Sequence, residues 1–460
     1  MLNFFKDLLL REKILFLSVL FLGIFLRLIS LSEISSWNDE IATWYFANNI
    51  NVVFSSESHT PIYYLICRVW IYLTTNTIFS IRVLSIVLSY CTLFLCIQFL
   101  KNTSKFLILG VVTFWSLVPT FIVYDRQARH YGFFAELAFL LLLIWDYKSD
   151  VRFFLKWFLM TFIQILHPLA FIQVIFLVLL DFARSKISIK EGLYLISSSL
   201  PVSVYYLLRF YFQDFKTVTA NIAWIRNDFV EFFKSLILMF AGDSYPFTLV
   251  FPLSADVAIF SCFVLFLSFF ILTGWKPLFL SEKFIRFLLM CIFIIMLVES
   301  LAYAGLNLRI SRYYIFIVPF LLVSLIDFIK NVQTKSFLLL LVTSFILISY
   351  NLFQLKPWRT YEWDDDNVSA FKIDNPSYLN DNDLLICGNK MNVEYYFNKY
   401  FGNCSEEAFK RYYLKKNFKV FDISGEQSSV ALSLYLSNFG NVRDMKFYGR
   451  AFYFRFEGRK

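Results

Sequence analysis

Two adjacent carboxylates, Asp39 and Glu40, stand in the stretch SSWNDEIATWYFANNI, and the chain then runs into ESHTPIYYLI, with His59 beside Thr60 and Pro61. A carboxylate next to a reacting hydroxyl or amine can take its proton, which is general-base chemistry. Further on, DRQARHY holds Asp125, Arg126, Arg129, His130 and Tyr131, and LNLRISRYY holds Arg309 and Arg312. Within each of these segments the arginines are three apart, so on a helical turn they share a face. Guanidinium forks bind phosphate oxygens in bidentate fashion, and two such pairs read as an anion site. His167, ahead of Pro168, is a further candidate. Each group also has a structural reading. Ser36 can cap a helix whose first turn carries the two acids, which then complement the helix dipole. Arginines can snorkel to headgroups, and a histidine at a surface is ordinarily just polar.

The elements that must position these residues are apolar and long. The chain has 460 residues, 58% hydrophobic and 21% aromatic, with 58 phenylalanines, where soluble domains are about half apolar. Apolar runs recur between Ile14 and Phe353, most of them near the ~20 residues that cross ~30 Å of hydrocarbon. They fall at 13–32, 62–76, 81–99, 105–124, 132–147, 153–167, 168–183, 192–210, 249–273, 284–304, 313–329 and 336–353. The run at 62–76 is short and reads as interfacial or re-entrant, which leaves about 11 spans in a multi-pass α-helical membrane protein. The first run is long and lacks a small-residue cleavage site, so it reads as a span and not a signal peptide.

Basic residues set the orientation. Lys6, Arg11 and Lys13, then Lys101 and Lys105, Lys148, Arg152 and Lys156, Arg184, Lys186 and Lys190, Lys276, Lys283 and Arg286, and Lys330 and Lys335 all fall on one side. The positive-inside rule makes that side cytoplasmic, together with the N-terminus. Residues 33–60, 125–131, 211–248 and everything from 354 onward are then outside, so the candidate residues share the outer face. The net charge of +9 reports this topology; there is no nucleic-acid motif, and nucleic acid is excluded as a partner in favour of membrane lipids. Ile41, Trp44, Tyr45 and Asn48 share one face of a helix, which reads as lying in the headgroup plane.

Residues 354–460 are polar enough to form a second domain after the 1–353 membrane domain. NDLLICG reads as a strand followed by helix-like text in MNVEYYFNKYF, and FKVFDIS, SSVALSLYLSNFG and AFYFRFEG follow; strands alternating with a helix give a small extracytoplasmic α/β domain. Of the seven cysteines, Cys67, Cys91, Cys96, Cys262 and Cys291 lie in apolar runs and act as small hydrophobes. Cys387 and Cys404 lie in the tail, where oxidising conditions permit a disulfide without requiring one.

NDE after the first span, HTPIYY, RQARHY in the next outer loop and SRYYIFIVP late in the chain resemble, in order and on a common side, the GT-C fold glycosyltransferases. The nearest likeness is to the bacterial protein mannosyltransferases and the aminoarabinose or galacturonic acid transferases of glycosyltransferase families 39 and 83. The resemblance implies an enzyme of the bacterial inner membrane. Its donor would be a polyprenyl-phosphate sugar and its acceptor a lipid, glycan or protein. Asp39 takes the place of the family's acid in the first outer loop, with Glu40 beside it, and Asp125 that of the second acid. His59 falls at the family's histidine–proline motif, with Thr60 where a second proline is common. His167 matches a histidine near a later span end, and Arg309 and Arg312 the late basic cluster near the donor phosphate. Arg126, Arg129 and Tyr131 join the binding residues. No spacing matches a metal motif, and the resembled families often work without one, so neither metal nor cofactor is expected. A transporter or flippase of lipid-linked glycans is the alternative, along with a polymerase. Glu136 and Glu299, acids within spans, favour it, whereas the lack of Gly- or Pro-broken spans in matching halves counts against it.

Overall fold

The computed structural model describes residues 10–29, 31, 38–56, 60–100, 105–145, 150–212, 281–303, 314–330, 384–387, 417–422, 440–448 and 451–458. The chain divides into two units. The first comprises residues 1–31 and 49–353, and the second residues 32–48 and 354–460. The break after Phe353 falls where the composition changes. The segment with Asp39 and Glu40, expected in the membrane domain, belongs instead with the C-terminal region.

The first unit is helical. Its elements are α1 (Leu10–Leu28), α3 (Ile50–Ser56), α4 (Ile62–Leu73), α5 (Ile78–Leu100), α6 (Lys105–Leu117), α7 (Pro119–Asp125), α8 (Tyr131–Trp145) and α9 (Asp150–Leu166). After these come α10 (Ala170–Ala183), α11 (Ile189–Ile196), a 3-10 turn at Ser197–Ser199, α12 (Leu200–Phe212), α13 (Glu282–Tyr303) and α14 (Ile317–Lys330). Among the described residues, α5 and α13 are long and apolar enough to cross a membrane. The predicted spans at 249–273 and 336–353 lie outside the described residues.

A helix that is apolar on every side must be surrounded, and α8 is: from Tyr131 to Trp145 almost every side chain is buried. It packs against α5, α7, α9 and α14, while α1 packs on α6 and α7. The run expected as one span at 105–124 is two helices. Pro119 pushes the preceding residue out of the helical region, and Val118 sits at φ −70°, ψ 122°. The break sets α7 as a separate segment ending at Asp125. The outward faces remain apolar, with Phe21, Val69, Phe154, Leu207 and Met296 exposed. Far along the chain from Asp125, Glu282 gathers Arg184 at 2.9 Å, Arg286 at 2.8 Å and Lys186 in one ionic cluster.

Among its described residues the second unit has α2 (Asn38–Asn48) and four strands, β1 (Leu384–Cys387), β2 (Asn417–Asp422), β3 (Gly440–Tyr448) and β4 (Ala451–Gly458). They form one mixed sheet of order β1-β2-β4-β3. β1 runs parallel to β2, and β4 antiparallel to both β2 and β3. A parallel pair needs a crossover; the helix-like text expected there, and Cys404, lie outside the described residues. Phe418 sits opposite Phe456 and Val420 opposite Phe454, all four buried, so the alternation seen in FKVF and FYFRF is a packed sheet face. β3 was not anticipated. Its pattern is interrupted by a bulge between Arg443 and Lys446, where Asp444 takes φ 53°. Residues 41, 45 and 46 of α2 are buried, so one face of this helix is packed.

Candidate substrate-binding site

The turn between α7 and α8 carries five of the residues singled out in the sequence, and it sends them in two directions. Asp125, fully buried, accepts from Arg27 Nε at 2.7 Å and from Ser89 Oγ at 2.8 Å. The rest of the Arg27 guanidinium is held by main-chain carbonyls of Gly23 (3.1 Å), Ser116 (3.1 Å) and Trp115 (2.7 Å). Arg126 donates from Nη1 to Leu26 O at 2.8 Å and from Nη2 to Ile29 O at 2.6 Å. Arg82 donates to Leu31 O at 3.2 Å. These carbonyls close α1, whose last turn has no intrahelical donors and carries the negative end of the helix dipole. Burial, with Arg82 and Arg27 close by, draws Arg126 down to about 9, so it keeps its charge at neutral pH. Asp125 and Arg126 thus tie the turn to α1.

His130 and Tyr131 meet His167, and Arg129 stands against Tyr131. The His130 and His167 rings are 5.5 Å apart, and Tyr131 lies 5.8 Å from His167. Phe134 stacks on His167 at 5.2 Å, and Tyr63 meets His130 edge-on at 5.6 Å. The Arg129 guanidinium stands over the Tyr131 ring at 5.5 Å, a cation–π geometry. All these side chains are buried or nearly so. His167 occupies the tight turn between α9 and α10, where Ala170 N bonds His167 O at 3.0 Å. The hydroxyl of Thr60, the residue after His59, donates to Ile165 O, which ties the HTP segment to the same helix end. Tyr63 also hydrogen-bonds Ser85 at 3.3 Å, and Ser85 donates to Gln127 O at 2.9 Å, bracing the turn from beneath.

Of the expected residues, Arg129, Tyr131 and His167 come together, and Asp125 and Arg126 share their turn without facing them. Asp39 is half-buried and Glu40 buried at the start of α2, in the second unit. His59, Arg309 and Arg312 lie outside the described residues. His130 and Tyr63 were missed as centres of the site. The signal for His130 was its position among arginines and tyrosine; Tyr63 and Tyr64 read as interfacial aromatics but are buried. The cluster sets π faces beside a guanidinium, a combination suited to an apolar-faced, negatively charged group such as a sugar phosphate. Between α1 and α5 lies an apolar groove of about 580 Å³ lined by Ile24, Ile86, Val87, Tyr90 and Phe94. No protein-family model matches the chain, and no match is found among curated proteins or solved structures.

Proposed function

We propose that the chain is a multi-pass membrane glycosyltransferase of inverting mechanism, moving a sugar from a polyprenyl-phosphate donor to a lipid, glycan or protein acceptor at the outer face of the membrane. The observation that carries this reading is the buried Arg129–His130–Tyr131–His167 cluster, assembled from separate segments that the sequence had placed on one side. Asp39 takes the acceptor's proton. The acceptor oxygen or nitrogen attacks the anomeric carbon, and the sugar–phosphate bond breaks with its electron pair leaving on the lipid phosphate. Arg129, with Arg309 and Arg312, stabilises that charge as it develops. No protein nucleophile is needed, and one displacement inverts the anomeric centre. Exposed apolar faces and the two membrane-length helices, α5 and α13, support residence in a bilayer.

The test is turnover. Protein in lipid, given a panel of labelled polyprenyl-phosphate sugars and crude acceptor extract, should release polyprenyl phosphate. Asp39→Asn should lower that release by roughly 10²–10⁴-fold, the usual worth of a general base, while donor still binds. No release from any donor would move the reading to a transporter of lipid-linked glycans, which the fully buried Glu136 in α8 favours.

A further inference from the structure

Ser89, on α5, stands between two carboxyl groups that the transfer chemistry does not use. Its Oγ accepts from Trp115 Nε1 at 3.0 Å, lies 2.8 Å from Asp125 Oδ2, and is in hydrogen-bond contact with Glu136 Oε1. Arg27, Ser89, Trp115, Asp125 and Glu136 are all fully buried. A hydroxyl owns one hydrogen and can donate to only one carboxyl. The other contact requires a hydrogen on the carboxyl side. Asp125 has the Arg27 guanidinium at 2.7 Å and is the anionic partner. Glu136 has no ion pair, and its Oε2 has no hydrogen-bond partner among the described residues.

Among the described residues the surroundings offer no second cation. Tyr90 and Cys96 approach from α5, and Arg27 from α1. The described side chains of α14, Ile317 to Ile326, include no titratable group. Lys156, on α9, is turned to the carbonyl and ring of Trp145. Arg126 spends its Nη atoms on the end of α1.

We infer that Glu136, Ser89 and Asp125 form a binding site for a single exchangeable proton, held on Glu136 and donated to Ser89, which in turn donates to Asp125. Removing that proton sets two carboxylates against one guanidinium in a dry interior. Repulsion then bears on Asp125, the residue from which the Arg126–Tyr131 turn departs. Proton occupancy therefore governs the footing of the cluster formed by Arg129, His130, Tyr131 and His167. The site stands whether or not the chain transfers sugars.

Infrared spectroscopy of the protein in lipid at neutral pH tests this. A protonated-carboxyl C=O band should appear, shift in D₂O, vanish in Glu136→Gln and survive in Glu299→Gln. Because Gln preserves a neutral donor, Glu136→Gln should unfold within a few degrees of the wild type. Should that variant fail to fold, wild-type protein labelled with ¹³C-carboxyl glutamate decides: the band must move with the label. Absence of the band, its persistence in Glu136→Gln, or its indifference to the label would overturn the proposal.

Discussion

Arg126 and Arg129 divide between them a task that their spacing suggested they would share. Residues three apart share a face only while the chain is helical, and the turn from Arg126 to His130 is not. Arg126 therefore reaches back to Leu26 and Ile29, and Arg129 forward to Tyr131. The variants should separate accordingly. Arg126→Lys loses the fork that serves two carbonyls, and thermal unfolding in detergent should show a loss of about 1.5–3 kcal/mol, typical of a charged hydrogen bond. Arg129→Lys should lower turnover with polyprenyl-phosphate sugar, because lysine cannot reproduce the planar stack on Tyr131. The Arg27–Asp125 pair should be costlier to break. Arg27→Met strands a buried carboxylate, for a loss of roughly 3–5 kcal/mol, and the double variant Arg27→Met with Asp125→Leu should recover part of it. An unfolding cycle of the two singles and the double reads this directly. At this scale the sequence was only partly legible. Asp125 stood out as a polar residue in an outer loop. Its partner Arg27, 98 positions earlier, had no local sign, because residue types in one run say nothing about which neighbour a distant turn will choose.

Helices were read well where an apolar run had polar ends, and less well where backbone chemistry intervened. α5, α10 and α13 sit within a few residues of the runs at 81–99, 168–183 and 284–304. The division of 105–124 followed from Pro119, a visible signal overridden by the continuous hydrophobicity around it. β3 was hidden for the opposite reason: its bulge breaks the two-residue alternation by which strands are recognised. Two glycines give a matched experiment on helix packing. A Cβ on Gly132 would lie 2.6 Å from Asp125 Oδ1, whereas one on Gly110 meets nothing within 4 Å. Gly110→Ala should stabilise by about 0.5–1 kcal/mol, the ordinary gain within a helix. Gly132→Ala should instead destabilise by about 1–3 kcal/mol, as overpacking does, and should lower turnover, since the displaced carboxylate anchors the turn. Thermal melts of the two variants side by side check both signs.

At the scale of the whole molecule, the composition change after Phe353 coincides with one limit of the division into two units, while the limits at residues 31 and 48 coincide with no such change. Nothing in SSWNDEIATWYFANNI announces that it belongs with strands more than three hundred residues later; long-range partnership is not a property of a short stretch. A fragment spanning Gln354–Lys460 should accordingly be less resistant to protease than the same fragment joined to Ser32–Asn48, with band lifetimes on a gel as the measure. The division also fixes a timetable. During synthesis the helix with Asp39 leaves the ribosome early, and the rest of the first unit, residues 49–353, follows before the sheet of the second unit exists. A chain halted anywhere before residue 354 carries this helix without any of the strands of its unit, so a truncated product leaves the helix with no partner from its own unit to fold against.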